Sequence, residues 1–436
     1  MRTIPSPAPA DRIRGVVLRP GNDLTMTDLV LAPPGSGEVE VAVVAAGVCH
    51  SDLHVVRGEW DVPMPVVLGH EGSGVVTALG PDTEDSGLAV GDHVVLSWVP
   101  ACGACRYCLA GRPAACSLVA EVVAPRGVLY DGTSRLSSTD GEELHHYLGV
   151  SSFADRVVVP VSGAIKVRKD APLDALALVG CAIATGVGAV RNTAGVEAGA
   201  TVAVIGCGGV GLSCVQGARL SGAGRIVAVD VVADKLDLAR KLGATDTIDA
   251  SAVDPVAALR ALVPEGLDYV FDAIGKITTT EQAVAALGQG GAAVIVGLPP
   301  TGSTARFDPL ALAEADQRIL GSNYGSVVPH RDIPILVDLV VGGFLDVESM
   351  ISARRPLEEA GDALAELNEG RALRQLLITG HRPTAYEPAE PGVAAADSAA
   401  YDSAAYDAYT AYAAPRSASG PSTHTPSAYD PTKREG

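Results

Sequence analysis

Residues 201–211 read TVAVIGCGGVG, an apolar run followed directly by a glycine-rich turn. The apolar run is typical of a buried strand, and the turn fits the pattern G-x-G-x-x-G that opens a helix in dinucleotide-binding folds. In this pattern the first glycine allows a tight turn, the second lets the backbone approach a pyrophosphate, and the third lets helix and strand pack closely. The cofactor-binding residues predicted here are Gly206, Gly208, Gly209, Val210 and Gly211.

The residues after this turn continue an alternation of strand and helix. Strands are predicted at Arg225–Asp230, Leu267–Asp272 and Ala292–Gly297, with a helix at Ala233–Leu242 and another between the last two strands. Such alternation indicates βαβ units and therefore a parallel sheet.

Asp230 ends the second strand, where an acid binds the ribose hydroxyls of the adenosine about 20 residues after the glycines. A carboxylate at this position repels a 2′-phosphate, so the sequence favours NAD over NADP. Lys235 is predicted to assist at the ribose. The alternative interpretation is that Asp230 is a solvated residue at a strand end.

The first hundred residues have a different pattern. Short apolar runs such as Glu38–Ala46 and Gly74–Ala78, bounded by Gly, Pro and Asp, indicate a β-rich domain over residues 14–100. Residues 117–150 are predicted to be a long irregular segment near a functional site.

Composition and charge exclude several classes of partner. The chain has 436 residues, which is long enough for two domains, and 47% of them are apolar. Its formal net charge is −19. The negative charge repels polyanions, so neither nucleic acid nor an anionic membrane is expected as a partner. Neither a secretory signal nor an apolar run of about 18 residues is found, so we expect a cytoplasmic protein.

Residues 381–436 are of low complexity, as in DSAAYDSAAYDAYTAYAA. Because branched aliphatic residues are scarce there, no core can form. The segment is therefore predicted to be a disordered tail, with a binding role as the alternative.

Four of the eight cysteines lie within fifteen residues of one another. Crowded cysteines in a chain without a secretory signal indicate metal ligands rather than disulfides. Four thiolates fill a tetrahedral zinc site and leave no open position, so this site would be structural. An iron–sulfur cluster and a group of inert thiols are the alternatives. The predicted ligands are Cys102, Cys105, Cys108 and Cys116.

A second metal site would have to be assembled from distant parts of the chain. Cys49, His70 and Cys181 each stand in a short polar or glycine-containing motif. Two thiolates and one imidazole, with the fourth position open, would hold a Lewis-acid zinc ion. Spacing alone does not establish that these residues meet, and each alone is more often a packed core residue.

With these motifs in place, the chain resembles the zinc-containing alcohol dehydrogenases of the medium-chain dehydrogenase/reductase superfamily. The segment 131–159 is similar to the long-loop members, which include the class III, thiol-dependent formaldehyde dehydrogenases. The resemblance covers about residues 14–380 and rests on CHSDLH at 49–54, GHEGSG at 69–74, the four-cysteine lobe, GCAIATG at 180–186, GCGGVG at 206–211 and GRALRQLL at 370–377.

The resemblance implies an α/β fold, in which a GroES-like β-rich catalytic domain is interrupted by a Rossmann domain with a doubly wound parallel sheet. The predicted boundaries are 1–183 for the first part of the catalytic domain, with the structural zinc lobe at about 100–118, then 184–324 for the NAD-binding domain, 325–380 for the second catalytic part and 381–436 for the tail.

The family also implies roles for individual residues. Cys49, His70 and Cys181 would hold the catalytic zinc ion, with Asp52 and Glu71 beside them, and Asp52 would orient the His70 ring.

Further residues match the substrate and cofactor sites. Ser51 would bind the substrate alcohol, His54 would be the outer end of a proton relay, and Thr185 would pack near the nicotinamide. The other predicted cofactor contacts are Val296, Arg374 at the pyrophosphate, and His50, which replaces an arginine of many members. Because histidine is mostly neutral at pH 7, this replacement is expected to loosen NAD binding.

Trp60 and Trp98 match positions that line the substrate channel, the alternative being that both pack in the core. A channel lined by both would favour slim primary alcohols, aromatic or short aliphatic. Ala120 stands where the class III pattern has an arginine, which disfavours a glutathione adduct and leaves another thiol adduct of formaldehyde open.

The implied reaction is the reversible oxidation of a primary alcohol to an aldehyde by NAD, with two zinc ions per chain. The alternatives are oxidation of an S-hydroxymethyl thiol and, from another class, a non-catalytic relative that binds nucleotide or zinc. The complete ligand set with Ser51 and His54 disfavours the latter and also a zinc-free quinone reductase. A homodimer is expected through the last strand of the sheet, around residues 316–322, with a tetramer as the alternative.

Overall fold

The computed structural model describes residues 11–370 and 372–381, so the predicted tail beyond His381 lies outside the described residues. The strands, in chain order, are β1 (Asp11–Arg19), β2 (Asp23–Leu31), β3 (Glu38–Val48), β4 (Val66–Val67), β5 (Glu71–Leu79), β6 (His93–Leu96), β7 (Leu136–Ser138), β8 (Glu143–His146), β9 (Arg156–Pro160), β10 (Ala164–Val167), β11 (Thr201–Ile205), β12 (Arg225–Asp230), β13 (Asp246–Asp249), β14 (Leu267–Asp272), β15 (Leu287–Ile295), β16 (Arg318–Gly321), β17 (Ile351–Pro356) and β18 (Arg374–Ile378).

Helices connect these strands, chiefly in the second half of the chain. The α-helices are α1 (His50–Val56), α2 (Arg106–Leu109), α3 (Ala124–Arg126), α4 (Ala182–Gly188), α5 (Gly209–Leu220), α6 (Ala233–Leu242), α7 (Pro255–Leu262), α8 (Ile277–Ala285), α9 (Pro309–Glu314), α10 (Pro329–Val341) and α11 (Ala360–Asn368). Shorter 3₁₀ and π turns lie at Glu84–Ser86, Pro113–Ala115, Val119–Val123, Val161–Gly163, Ala175–Gly180, Ala189–Ala194, Tyr324–Ser326, Glu348–Met350 and Leu357–Glu359.

The glycine-rich turn lies at the centre of a parallel sheet with the strand order β13-β12-β11-β14-β15-β16. β11 pairs on one side with β12 and on the other with β14. The strands that follow β11 in the chain are thus added first on one side of it and then on the other. A crevice for a ligand opens at the carboxyl ends of strands where the order reverses. The turn that follows β11 therefore stands at the expected ligand-binding edge.

One strand of this sheet is longer than the sequence predicted. β15 begins at Leu287, not at Ala292, because a bulge between Leu267 and Tyr269 allows an earlier pairing. A Cβ at Gly291 would stand 2.6 Å from the carbonyl oxygen of Leu267. Gly291 is thus required for a close backbone approach.

The remaining strands form a closed barrel, β1-β2-β7-β8-β4, and a second sheet, β10-β6-β5-β3-β18-β17, in which β9 also pairs with β3. β3 is buried along its whole length and pairs with β5, β9 and β18. β17 and β18 follow the parallel sheet in the chain. The chain therefore returns after the parallel sheet to complete the sheet that contains β3. The domain boundaries near residues 183 and 324 remain predictions.

The prediction for residues 117–150 was wrong in part. Two short strands, β7 and β8, lie in this segment and complete the barrel by pairing with β2 and β4. They have three and four residues, too few for an alternating pattern to stand out. They pair with each other, but their other partners, β2 and β4, lie far away in sequence.

Within residues 11–370 and 372–381, no helix combines the length and apolar character needed to cross a bilayer.

We predict that alanine affects stability at one glycine of the central turn and ligand affinity at another. A Cβ at Gly211 would stand 1.7 Å from the carbonyl oxygen of Gly206, whereas a Cβ at Gly208 would meet no atom within 4 Å. Gly211→Ala should therefore lower the free energy of unfolding by about 1–3 kcal/mol or more. Gly208→Ala should fold as the wild type but lose dinucleotide affinity, because its methyl group would occupy the ligand's space. Thermal unfolding and binding titrations measure both, and equal melting temperatures for the two variants would contradict the prediction.

Candidate active site

The first cluster of side chains that could hold a metal ion, called the metal-binding cluster below, forms where β3, β5 and the segment before α4 meet. Cys49 follows β3, His70 precedes β5, and Cys181 precedes α4. β3 and β5 pair in a register that places Gly47 opposite Glu71, so this pairing brings the first two residues together. The buried side chains whose ligand atoms lie within 4.8 Å of one another are Cys49, His70, Glu71 and Cys181.

The His70 ring is held so that one nitrogen faces the cluster without a partner. Its Nδ1 lies 3.3 Å from Oδ1 of Asp52, which also accepts the backbone N–H of Gly69 at 3.1 Å. His70 Nε2 is buried and has no hydrogen-bond partner among the described residues. A buried nitrogen left unpaired beside two thiols fits a metal ligand, because an unsatisfied polar atom would otherwise cost free energy.

In the absence of a metal ion, the environment of the cluster favours the protonated forms of His70 and Cys181. Burial disfavours the charged form of His70, but the Asp52 carboxylate outweighs it and raises the pKa of the imidazole. A hydrogen bond from Cys181 lowers the pKa of the Cys49 thiol, and the same bond raises the pKa of Cys181. A bound zinc ion would replace the protons on His70 and Cys181.

Glu71 points away from solvent and forms a buried ion pair with Arg374 of β18. Burial raises the pKa of Glu71 to about 7, although Arg374 opposes this. The Arg374 side chain also lies against the glycine turn, because a Cβ at Gly209 would stand 2.4 Å from its Cδ. Arg374, predicted at the pyrophosphate, thus lies between the metal-binding cluster and the turn, and its Nε is without a partner among the described residues.

Asp230 closes the predicted nucleotide site from the side of β12. It is 8% exposed. Its Oδ2 accepts the N–H of Cys207 at 2.7 Å, and its Oδ1 accepts those of Val231 at 2.8 Å and Val232 at 3.0 Å. The carboxylate therefore fixes the turn between β11 and α5 and stands at the edge where a ribose would lie.

The other predicted cofactor residues surround the same crevice. His50 is the exposed first residue of α1, and Lys235 is half-buried in α6. Val296 is buried just after β15, where its N–H bonds the carbonyl of Asp272 at 3.0 Å. Thr185 is buried in α4, and its hydroxyl has no partner in the described structure.

The predicted relay residues lie on α1, next to the cluster. Ser51 Oγ lies 3.8 Å from Cys49 Sγ, and the Ser51 carbonyl accepts a hydrogen bond of 3.0 Å from the Tyr147 hydroxyl. His54, one turn further along the helix, is half-buried, and its Nδ1 bonds the Glu59 carboxylate.

The four-cysteine lobe holds its thiols at the spacing of a tetrahedral metal site. Cys105 Sγ and Cys108 Sγ are 3.5 Å apart, and Cys102 Sγ and Cys108 Sγ are 4.0 Å apart. Zinc–sulfur bonds of about 2.3 Å in a tetrahedron place the sulfur atoms about 3.8 Å apart. All eight cysteines are free thiols. The side chains whose ligand atoms converge within 4.8 Å here are Cys102, Cys105, Cys108 and Cys116.

The tryptophans take different positions. Trp98 packs on Tyr324 with ring centroids 4.6 Å apart, and the Tyr324 hydroxyl bonds the carbonyl of Gly180, directly before Cys181. Trp60 is half-buried, stacks on His54, and donates its Nε1–H to the carbonyl of Pro299 at 3.4 Å.

Sequence analysis missed residues that support the site from outside the known motifs. Tyr147 sets its ring edge against His70, with centroids 5.6 Å apart, in addition to its bond to Ser51. Its place in the segment around β8 carries no signal of this, because the contact is made across the fold. Glu59 follows His54 by five residues and lies beyond the end of α1, so the helical spacing of three or four residues does not reveal this pair either.

Comparisons with known proteins identify related families and folds. The model of the zinc-binding dehydrogenase family matches residues 209–342, and the model of the alcohol dehydrogenase GroES-like domain matches residues 35–169. A probable S-(hydroxymethyl)glutathione dehydrogenase 1 of Schizosaccharomyces pombe is 39% identical over 354 residues, which are 80% of this chain and 92% of that protein. An S-(hydroxymethyl)glutathione dehydrogenase of Escherichia coli O157:H7 is 37% identical over 369 residues, 83% of this chain and 98% of that protein.

Solved structures resemble the whole described fold. An alcohol dehydrogenase zinc-binding domain protein from Burkholderia ambifaria has 39% identity and a TM-score of 0.81, covering 85% of this chain and all of that one. Benzyl alcohol dehydrogenase from Acinetobacter calcoaceticus has 36% identity and a TM-score of 0.79, covering 84% of this chain and 99% of that one. These matches confirm the predicted fold class, a GroES-like β-rich domain combined with a Rossmann sheet.

We predict two zinc ions per chain, one in each cluster. Cys105→Ser should lose one ion and lower the melting temperature, because a closed four-thiolate site contributes to folding. His70→Ala should lose the other ion. Cys214→Ser is the control, because Cys214 is a buried thiol outside both clusters. Elemental analysis gives the metal content, and a ratio near one in the wild type, or iron instead of zinc, would contradict the prediction.

Proposed function

The chain belongs to the alcohol dehydrogenase family of zinc-binding dehydrogenases, and from this premise we propose that it oxidises a primary alcohol to an aldehyde, reversibly, with NAD. The observation that carries the proposal is the buried cluster of Cys49, His70 and Cys181, in which His70 Nε2 lacks a partner. Arg374 joins this cluster to the glycine turn. A metal-binding site and a nucleotide-binding turn are thus adjacent, as hydride transfer to a nicotinamide requires.

The residues that would hold the catalytic zinc ion are Cys49, His70 and Cys181. Zinc bound there acts as a Lewis acid that lowers the pKa of an alcohol hydroxyl. Asp52 fixes the His70 ring so that Nε2 faces the cluster. Glu71 lies within the cluster but is engaged by Arg374.

Proton removal falls to residues of α1. Ser51 would accept the hydroxyl proton of the alcohol, since its Oγ lies 3.8 Å from Cys49 Sγ. His54, partly open to solvent, would pass the proton to water. The alcohol carbon can then give up its hydride, for which NAD is the acceptor.

The cofactor site favours NAD because the Asp230 carboxylate stands at the ribose end of the turn. Gly208 offers open space for a pyrophosphate beside the start of α5, where backbone N–H groups favour an anion. Lys235 and His50 would flank the cofactor. Thr185 and Val296 would pack near the nicotinamide.

We propose a slim aromatic or short aliphatic alcohol as the substrate. Trp98 supports this, because its partner Tyr324 bonds the carbonyl that precedes Cys181 and thereby sets an aromatic wall close to the cluster. Similarity to the benzyl alcohol dehydrogenase agrees with an aromatic alcohol. The second candidate is an S-hydroxymethyl thiol, which is favoured by the names of the curated relatives. The complete set of ligands and relay residues disfavours a non-catalytic role.

The substrate proposal is tested by the absorbance of NADH formed from benzyl alcohol, short aliphatic alcohols and formaldehyde adducts of glutathione and other thiols. We expect kcat/KM for benzyl alcohol to exceed that for the glutathione adduct at least about tenfold, because an apolar wall rejects a charged peptide. The same assay with NADP should give lower rates.

Trp98→Ala supplies the structural check on this assay. Removing the ring opens space beside the cluster, so branched alcohols should gain in kcat/KM relative to short ones. Parallel specificity profiles for wild type and variant would show that Trp98 does not line the pocket. A preference of the wild type for the thiol adduct would establish the second candidate.

We further propose that two copies pair through β16, the edge strand of the parallel sheet. Among the described residues this strand pairs only with β15, and Ile319 within it and Phe307 and Leu310 before it are exposed. An exposed edge with apolar residues favours pairing with a second copy. Light scattering should give the mass of a dimer. A monomer would refute the proposal, and a tetramer would require a second interface. A cytoplasmic location remains a prediction.

A further inference from the structure

The turn after α1 brings two side chains back onto the predicted relay histidine. Gly58 has φ +67°, a left-handed conformation that reverses the chain directly after the helix. Its N–H bonds the carbonyl of Val55 at 3.0 Å, and the N–H of Glu59 bonds the carbonyl of His54 at 2.9 Å. The backbone therefore fixes where Glu59 and Trp60 stand.

Both side chains contact the His54 imidazole. The Glu59 carboxylate is hydrogen-bonded to Nδ1, and the Trp60 ring lies on the imidazole with centroids 4.6 Å apart and an interplanar angle of 20°. Trp60 is itself tied to the carbonyl of Pro299. Arg57 lies 3.7 Å from the other oxygen of Glu59 but is exposed, so it is a weak competitor for the carboxylate.

These contacts have a chemical consequence for His54. An ionised carboxylate only accepts hydrogen bonds, so Nδ1 must carry a hydrogen, and in the neutral ring the lone pair is then on Nε2. Asp52 selects the tautomer of His70 in the same way. The indole stacked on one face of the imidazole hinders its rotation out of this arrangement.

We propose that Glu59 is a positioning residue for proton transfer, which keeps His54 in the tautomer whose Nε2 accepts a proton. The inference rests on the proposed function for the step it serves. The proton released from the alcohol hydroxyl through Ser51 binds the Nε2 lone pair, and Nδ1–H stays bonded to Glu59. The imidazolium then returns the Nε2 proton to water, so His54 ends the cycle unchanged. The side-chain exposures of 17% for His54 and 29% for Glu59 leave this exit open.

The first experiment compares Glu59→Gln with Asp61→Asn in the zinc-loaded enzyme. Asp61 is an exposed acid two residues away, with no hydrogen bond or ion pair to His54 in the described structure, so its variant matches the loss of charge. Glu59→Gln should lower kcat for alcohol oxidation about tenfold, with KM for NAD changed less than twofold, because general acid–base catalysis is weakened. Asp61→Asn should leave both unchanged.

A double variant tests whether Glu59 acts through His54. If it does, His54→Gln with Glu59→Gln should be no slower than His54→Gln alone, and added imidazole should raise the rates of both to the same extent. Additive losses, or equal losses from Glu59→Gln and Asp61→Asn, would overturn the proposal.

A measurement without substrate separates this inference from the proposed function. Nitrogen-15 spectra of histidine-labelled protein report which ring nitrogen of His54 carries the hydrogen. We expect Nδ1–H in the wild type and in Asp61→Asn, and a mixture of tautomers in Glu59→Gln, because an amide both donates and accepts. Nε2–H in the wild type would refute the positioning role. Nδ1–H in a protein that oxidises no alcohol would instead contradict the proposed function.

Discussion

The buried ion pair of Glu71 and Arg374 is the constraint on which the site depends. Burying two charges costs several kcal/mol each, and loss of one partner from such a pair typically costs about 3–5 kcal/mol. The attraction between the two charges offsets this cost only where the backbone holds both side chains in hydrogen-bonding geometry. Glu71 comes from β5 and Arg374 from β18, and both strands pair with β3. The arginine stem also packs under Gly209, so metal-binding cluster, nucleotide turn and returning terminal segment are fixed together.

This constraint requires a segment from beyond the parallel sheet to complete the sheet that contains β3. The strand that carries Arg374 follows the parallel sheet in sequence but pairs antiparallel with β3. The four-cysteine lobe is attached in a similar way, since the side chain of Asn323, just after the parallel sheet, donates to the carbonyl of Ala114 at 2.8 Å. Segments from both parts of the chain therefore have to fold before either metal-binding cluster has its surroundings complete. Contacts that are so distant in sequence are expected to form late in folding.

The parts that the sequence predicted are those with a local signal. The strands ending at Asp230 and Asp272 have the predicted bounds, because apolar runs with glycine or acid at their ends specify buried parallel strands. The predicted metal ligands were selected by residue type and by resemblance, although spacing alone could not bring Cys181 to Cys49. Tyr147 and the short strands β7 and β8 escaped prediction, because tertiary partners determine what they do.

Asp230 has a further consequence for redesign of the cofactor preference. One of its oxygens accepts the buried N–H of Cys207, within the turn itself. Replacing Asp230 by a small neutral residue, the obvious way to admit a 2′-phosphate, would leave that N–H unsatisfied at a cost of about 1–3 kcal/mol. The loop would loosen at the point where it must approach the pyrophosphate. A chain engineered to use NADP would therefore need a substitute acceptor for Cys207 as well as a new cation, and selection for NADP alone would tend to recover variants that supply both.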